Sequence, residues 1–267
     1  MSTRWALEFC KKKEKNLTAV EKILAHYGDA WVWAGFDPVS KVLPAFVVGK
    51  RTKTNAYKLI EKIYCITDGV IPFFTSDELR HYKDALLRVY GIPEDMPKGP
   101  RKRGRPKKPK LMPPPELRYA QVVKHRQKGR VVSITTKVIF GKEEEIKRLL
   151  EASPVSNSVN TSFIERNNLT LRQHSRRLGR KTNGFSKDIS KLQAQLYLAL
   201  GYYHFVKEHF GLRQESKHQG KKWDQRTPAL TAGITDHIWS TRELLTYRVP
   251  WTSFNRIGTT GKGTTTC

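Results

Sequence analysis

Apolar and polar positions alternate with a period of two between residues 29 and 48. Ala30, Val32 and Ala34 take turns with Trp31, Trp33 and Gly35, Asp37-Pro38 supplies a turn, and VLPAFVVG returns, which predicts a β-hairpin. From Thr52 to Ile66 the period lengthens, with Ala56, Leu59, Ile60 and Ile63 on one helical stripe. Asp68, in TDG, reads as a turn residue. The apolar run Val70 to Phe74 reads as a buried strand that stops at Thr75-Ser76-Asp77. It leads into a helix, Asp77 to Tyr90, whose inward stripe is Leu79, Tyr82, Ala85 and Leu86, with Ser76 as its N-cap.

Residues 93–115 break the pattern. They are rich in proline and hold six basic residues between Arg101 and Lys108, so they cannot form a core and read as a linker or extended arm. A second hairpin follows, YAQVVKHRQKGRVVSITTKVIF, turning near Lys128-Gly129 and carrying Lys124, His125, Arg126 and Arg130 close to the turn. A short helix is predicted from Glu143 to Ala152, its three leading glutamates at the end where the helix dipole favours them. Another spans Glu165, and a long one runs from Ser186 to about Phe210, with Leu192, Leu196, Leu200 and Phe205 on its buried side. Short helices around Pro228–Ala232 and Thr241–Tyr247 close the reading. Strands alternating with helices support an α/β or α+β class and no more.

Charge changes the picture. A chain of 267 residues with a formal charge of +26 calls for a polyanion, nucleic acid or an anionic membrane surface. No segment approaches the roughly 18 consecutive apolar residues a membrane helix needs, and Cys10 is followed at once by KKKEK, unlike a signal peptide. Cys10, Cys65 and Cys267 form no CxxC pair, so neither a zinc ribbon nor a disulfide framework is expected. The histidines, His174, His204, His209 and His218 among them, lack metal-ligand spacing, and GKGTTT at 261–266 has no preceding strand to make it a phosphate loop.

The candidate chemistry lies between Thr161 and Phe185, TSFIERNNLTLRQHSRRLGRKTNGF. Glu165 is followed by Arg166, Arg172, Arg176, Arg177, Arg180 and Lys181 with no further acid until Asp188. On one continuous helix Glu165, Arg172 and Arg176 share a face, and Ile164, Leu171 and Leu178 form the stripe beside it. One carboxylate heading a basic track suits a metal held against a nucleic-acid phosphate. A solvated basic helix whose glutamate pairs with arginines satisfies the same spacing. Arg103-Gly104-Arg105-Pro106, flanked by Lys102, Lys107 and Lys108, has the form of an AT-hook, which lies in narrow A·T-rich minor grooves, and also of a generic basic linker. From Lys98 to Arg130 there are thirteen basic residues and one acid, a density that implies salt-sensitive, sequence-independent DNA binding.

The segment SFIERNNLTLR closely resembles the third-acid helix of transposases of insertion-sequence-one-type mobile elements. The resemblance continues through KTNGFSKD (181–188) and RTPALTAGITDHIWSTRELL (226–245), and resumes upstream at WVWAGFDPVSKVLPAFVVGKR (31–51) and FFTSDELRHYKDAL (73–86). It implies an RNase H-like α/β fold, a mixed sheet with flanking helices, whose core is divided into residues 1–92 and 117–212. The basic linker 93–116 and the inserted hairpin would interrupt it, and 213–267 would be a C-terminal extension.

The resemblance also implies an Asp-Asp-Glu enzyme that cuts and joins DNA strands with two Mg²⁺ ions, or Mn²⁺. Asp77 would be its second acid and Glu165, 88 residues later, its third. Arg103, Arg105, Lys107, Lys108, Arg166, Arg172, Arg176 and Arg177 would contact the DNA. The first acid is not found: if Trp5 matches the family tryptophan, the aspartate falls at Ser2. The resemblance therefore implies the downstream part of a transposase, without the zinc-binding and helix-turn-helix segments. Its expected partners are the DNA of element ends and target, a second copy of itself or the full-length enzyme, in a prokaryotic cytoplasm at the nucleoid. A catalytically inactive DNA-binding remnant is the alternative.

Overall fold

The computed structural model describes residues 1–10, 13–23, 27–94, 110–179, 183–216 and 220–248, with the backbone alone considered for 2–9 and 23. In chain order β1 (Ser2–Cys10), α1 (Ala19–Ile23), β2 (Gly28–Phe36), β3 (Ala45–Gly49), α2 (Lys53–Ile66), β4 (Phe74–Asp77) and α3 (Arg80–Tyr90) make the first half. Then come β5 (Ile92–Pro93), β6 (Leu111–Met112), β7 (Tyr119–Gln127), β8 (Arg130–Phe140), α4 (Glu143–Glu151), α5 (Ser162–His174) and α6 (Ile189–Gly201). Two short strands, β9 (Gln214–Glu215) and β10 (Trp223–Asp224), precede α7 (Pro228–Thr231) and α8 (Thr241–Thr246).

Six strands form a mixed sheet in the order β3-β2-β1-β4-β7-β8. β1 is antiparallel to β2 and β2 to β3, whereas β4 runs parallel to both β1 and β7, and β8 returns antiparallel to β7. Both faces are covered, as a sheet with parallel central strands requires. Because strand side chains alternate, Trp33 points to one side, where Ala56, Leu59, Ile60 and Ile63 of α2 and Tyr82, Ala85 and Leu86 of α3 pack on it. Val32, Ala34 and Phe36 point to the other, meeting Ile164 and Leu171 of α5 and Leu192, Leu196 and Leu200 of α6. Leu59, Ile60 and Ile63 are wholly buried, each contributing roughly 1.5–3 kcal/mol of hydrophobic stabilisation. The result is a three-layer α/β protein.

Four local expectations shift. The strand expected at Val70–Phe74 lies later, at Phe74–Asp77, because only there do both neighbours offer hydrogen bonds: Ser2 and Thr3 pair with Thr75 and Ser76 on one side, and Tyr119 to Val122 pair on the other. Ser76 is therefore inside the sheet and fully buried, not an N-cap; Leu79 takes that position without a side-chain cap, and the helix starts at Arg80. The helix bearing Glu165 stops at His174, since Ser175 turns extended (φ −129°, ψ 104°) and a separate 3₁₀ turn holds residues 176–178. The long helix also ends early: α6 is capped by Asp188, whose carboxylate accepts the Lys191 N–H at 3.0 Å, and passes at Tyr202–Val206 into a π-helical turn. In that turn Tyr203 is the buried residue, and Phe205 leaves the core to stack on Trp239 at 4.5 Å.

The hairpin between β7 and β8 turns where expected. Lys128 and Gly129 have φ of 48° and 80°, the left-handed pair that a two-residue hairpin turn demands and glycine adopts without strain. The basic proline-rich stretch is rooted on a small ladder. Ile92 pairs with Met112, Pro93 with Leu111, and the Glu94 N–H donates to the Lys110 carbonyl at 2.8 Å. Its two ends thus leave and re-enter at one place. No helix among the described residues is long and apolar enough to cross a membrane.

Candidate nucleic-acid cleft and its carboxylates

Where β4 ends, its last residue, Asp77, opens onto a cleft of about 480 Å³. The walls are Arg51 after β3, Asp77, Glu78, Leu79, Arg80 and His81 at the β4–α3 junction, Val122, Lys124 and Arg126 along one face of β7, and Thr161 before α5. Alternation along β7 makes every second residue from Val122 face the cleft, so Lys124 and Arg126 follow from the strand's period.

Asp77 is held by its backbone. Ser76 Oγ donates to the Asp77 carbonyl at 2.7 Å, which uses its only proton, so in the 2.6 Å contact with Tyr119 the phenol must donate. Gln121 Nε2 in turn donates to the Tyr119 oxygen at 2.7 Å. This chain of three hydrogen bonds runs through side chains with at most 7% exposure, and burial pushes the Tyr119 phenol up to about 12, so it stays protonated as the donor. The floor beneath Asp77 is thereby rigid.

Glu165, on α5, is tied to this cleft through its partners. Its Oε1 accepts from Lys124 Nζ at 2.8 Å and from Thr161 Oγ1 at 3.0 Å, and both partners line the cleft. The ion pair is about one third exposed, with side-chain exposures of 30% for Lys124 and 39% for Glu165. Four cationic side chains, Arg51, Arg80, Lys124 and Arg126, therefore line the cleft with Asp77 and Glu78, and one of them, Lys124, is paired with Glu165. Such a concave basic wall concentrates a polyanion over the carboxylates.

The donor set tests what metal these residues suit. Among the described residues no group of three or more His, Cys, Asp and Glu gathers as a metal cluster. The carboxylates at the cleft are Asp77 and Glu78 on its wall and Glu165 held by Lys124, oxygen donors of the kind that a hard divalent ion takes. They do not gather as three converging acids. β1, the strand beside β4, has Glu8 as its only acid, and Ser2, where the family resemblance sets the first aspartate, pairs with Thr75.

The other expected site residues scatter. Arg172 lies seven residues after Glu165 on α5 and is half-buried, whereas Arg176 and Arg177 lie beyond the end of that helix. Arg176 is eleven residues along, in the separate 3₁₀ turn, and Arg177 Nη1 donates to Ser186 Oγ at 3.4 Å. Arg166 lines a different cavity with Lys41, Lys207 and His209. His174 sits against Lys207, 3.0 Å from its ammonium, and does not border the cleft. Arg103, Arg105, Lys107 and Lys108 lie outside the described residues. The cleft also holds residues that the sequence reading did not single out: Arg51, Arg80 and Thr161, and the pairing of Lys124 with Glu165. Two-residue periodicity on an acid-free strand was the available signal for Lys124 and Arg126.

With this geometry in view, the chain can be set beside known proteins. Residues 131–206 match the family model described as IS1 transposase, which supports an IS1-type transposase. The match spans β8 to the π turn; it includes Glu165 and stops short of Asp77. No curated protein and no solved structure matches the chain.

Proposed function

Starting from an IS1 transposase segment, we propose that this chain is the catalytic region of an insertion-sequence transposase and that the cleft between Asp77 and Glu165 receives the DNA strand to be cut and joined. What supports the reading is that Lys124 and Thr161, the hydrogen-bond partners of Glu165 on α5, line the same basic cleft as Asp77 of β4. The strand order, with β2 as the antiparallel member between β3 and β1, supports an RNase H-like core.

In this reading the residues have separate duties. Arg51, Arg80 and Arg126 hold backbone phosphates over the cleft, as bidentate guanidinium donors do. Incoming phosphates draw Lys124 off Glu165, exchanging one anionic partner for another and leaving the carboxylate open on the cleft floor. Asp77 stays fixed by the hydrogen bonds of Ser76, Tyr119 and Gln121. A divalent ion bound by Asp77 and Glu165, Mg²⁺ or Mn²⁺, would polarise the scissile phosphate and stabilise the leaving oxygen. The protein would act on double-stranded DNA at the nucleoid, as a homo-oligomer that brings two ends together.

A second reading, a DNA-binding protein without strand-transfer chemistry, is favoured by two observations: β1 has no aspartate, and Lys124 is paired with Glu165. One experiment separates the two. The 267-residue chain is incubated with Mg²⁺ or Mn²⁺ and supercoiled plasmid carrying candidate element ends, beside Glu165→Gln and Asp77→Asn. Nicking or joining that both variants abolish supports the transposase chemistry. DNA binding that all three proteins share, with no strand cut by any, selects the second reading.

A further inference from the structure

β7 and β8 run on together past the rest of the sheet. β4 pairs with β7 only as far as Val122, so among the described residues the ladder from Val123↔Thr135 to Gln127↔Arg130 has no third strand. Every residue from His125 to Lys137 is exposed. Five residues of β7 rise about 17 Å, giving a free two-stranded ribbon closed by the Lys128-Gly129 turn.

The ribbon's chemistry is one-sided in charge and two-sided in pattern. From Leu117 to Lys142 there is no Asp or Glu, against Arg118, Lys124, Arg126, Lys128, Arg130, Lys137 and Lys142. Paired residues share a face, and i, i+2 residues stay on it. One face therefore carries Lys124 and Arg126 with Thr136 and Ile134, and continues into the cleft wall. The opposite face carries His125, Gln127, Arg130, Ser133 and Thr135, and the contact of His125 Nε2 with Thr135 Oγ1 at 3.1 Å agrees with that grouping. A register shift between His125 and Arg126 leaves Val132 as an extra residue, and such a bulge sharpens the ribbon's twist.

Arg, Gln, Ser and Thr are the side chains that read base edges, and the major groove, about 12 Å wide, admits a two-stranded ribbon. We infer that the distal β7–β8 ribbon enters the major groove of duplex DNA with its His125, Gln127, Arg130, Ser133 and Thr135 face toward the base edges, making it a sequence-discriminating element. This rests on the chain's reading as a DNA-binding transposase, and it adds which surface selects the sequence. The Lys124 and Arg126 face would then lie toward the phosphates, joining sequence choice to the cleft. Pairing of two β8 edges would set these like-charged strands side by side, which is unfavourable.

The test is selection of a randomised 24-base-pair duplex pool by the full chain, compared with Gln127→Ala/Arg130→Ala and with Lys128→Ala. The wild-type chain is expected to enrich a motif. The double variant should lose discrimination of about ten-fold or more at two or three adjacent positions while still binding the starting pool. Lys128→Ala should weaken binding to every sequence alike and flatten its salt dependence. The inference is overturned if the wild-type chain enriches nothing, or if the double variant, folded by circular dichroism, keeps the same motif. It is equally overturned if Val132→Glu/Ile134→Glu changes only the oligomeric state in sedimentation and leaves the motif intact. Because selection reads binding alone, a chain that enriches a motif through the ribbon and never cuts DNA supports this inference while refuting strand transfer.

Discussion

Replacing Lys124 with methionine isolates the contact on which the cleft turns. Methionine keeps most of the stem's apolar packing and removes the ammonium that lies 2.8 Å from Glu165 Oε1. At that separation the Coulomb attraction runs from about 1.5 kcal/mol in water to about 6 kcal/mol at an effective dielectric near 20. Side-chain exposures of 30% and 39% place the pair between those limits. After solvent screening and the ordering of two side chains, a net of about 0.5–1 kcal/mol remains. A divalent ion that binds Glu165 would have to displace Lys124, so the variant should bind Mn²⁺ about 2- to 5-fold more tightly than wild type. Free Mn²⁺ followed by its paramagnetic resonance signal during titration measures this without DNA or turnover. Lys147→Met, at an exposed position on α4, controls for the unit change in net charge, and Lys124→Met/Glu165→Gln controls for the site. Unchanged or weaker Mn²⁺ binding by Lys124→Met would refute the reasoning, as would a tightening that persists once Glu165 is glutamine.

Three further outcomes are expected. His204 accepts the Leu43 N–H at 3.0 Å, and burial pushes its imidazole from 6.5 down to about 4; the folded state thus favours the neutral ring, so this contribution is present above pH 6.5 and lost as pH falls toward 4. It amounts to about 2 kcal/mol by pH 5, and urea unfolding of wild type against His204→Gln should show the difference shrinking over that window; parallel pH profiles would contradict it. Tyr119→Phe strands the buried Ser76 and Gln121 side chains and should cost about 1–3 kcal/mol, measured by chemical denaturation, with an unchanged midpoint counting against the hydrogen-bond chain. Gly129→Val meets open space but a φ of 80°; it should destabilise by roughly 1–2 kcal/mol and reduce DNA affinity through the ribbon, and a melting temperature equal to wild type would refute the strained-turn assignment.

Much of this protein was legible from residue order because the deciding forces are local. The helical stripe Ala56, Leu59, Ile60 and Ile63 is buried as its spacing demands, and the Lys128-Gly129 turn and the helix from Glu143 follow from backbone preferences within a few residues. The motif around Glu165 carried the resemblance to insertion-sequence-one-type transposases, and residues 131–206 match the IS1 transposase family model. What failed to show was decided between segments distant in sequence. Ser76 has the composition of a helix cap, yet β1 and β7 supply backbone partners on both sides and Tyr119, 43 residues away, takes its hydroxyl, so it became a strand residue. Arg176 shares a face with Glu165 only on an unbroken helix, and that helix ends at His174, where Ser175 turns extended. The charge, the helical or strand period of most elements and the acid that heads the basic track are all readable from residue order. Only the tertiary structure set Lys124 on that acid, 41 residues apart, and left half of a hairpin beyond the sheet, because strand pairing and ion pairing are chosen by proximity that residue order does not encode.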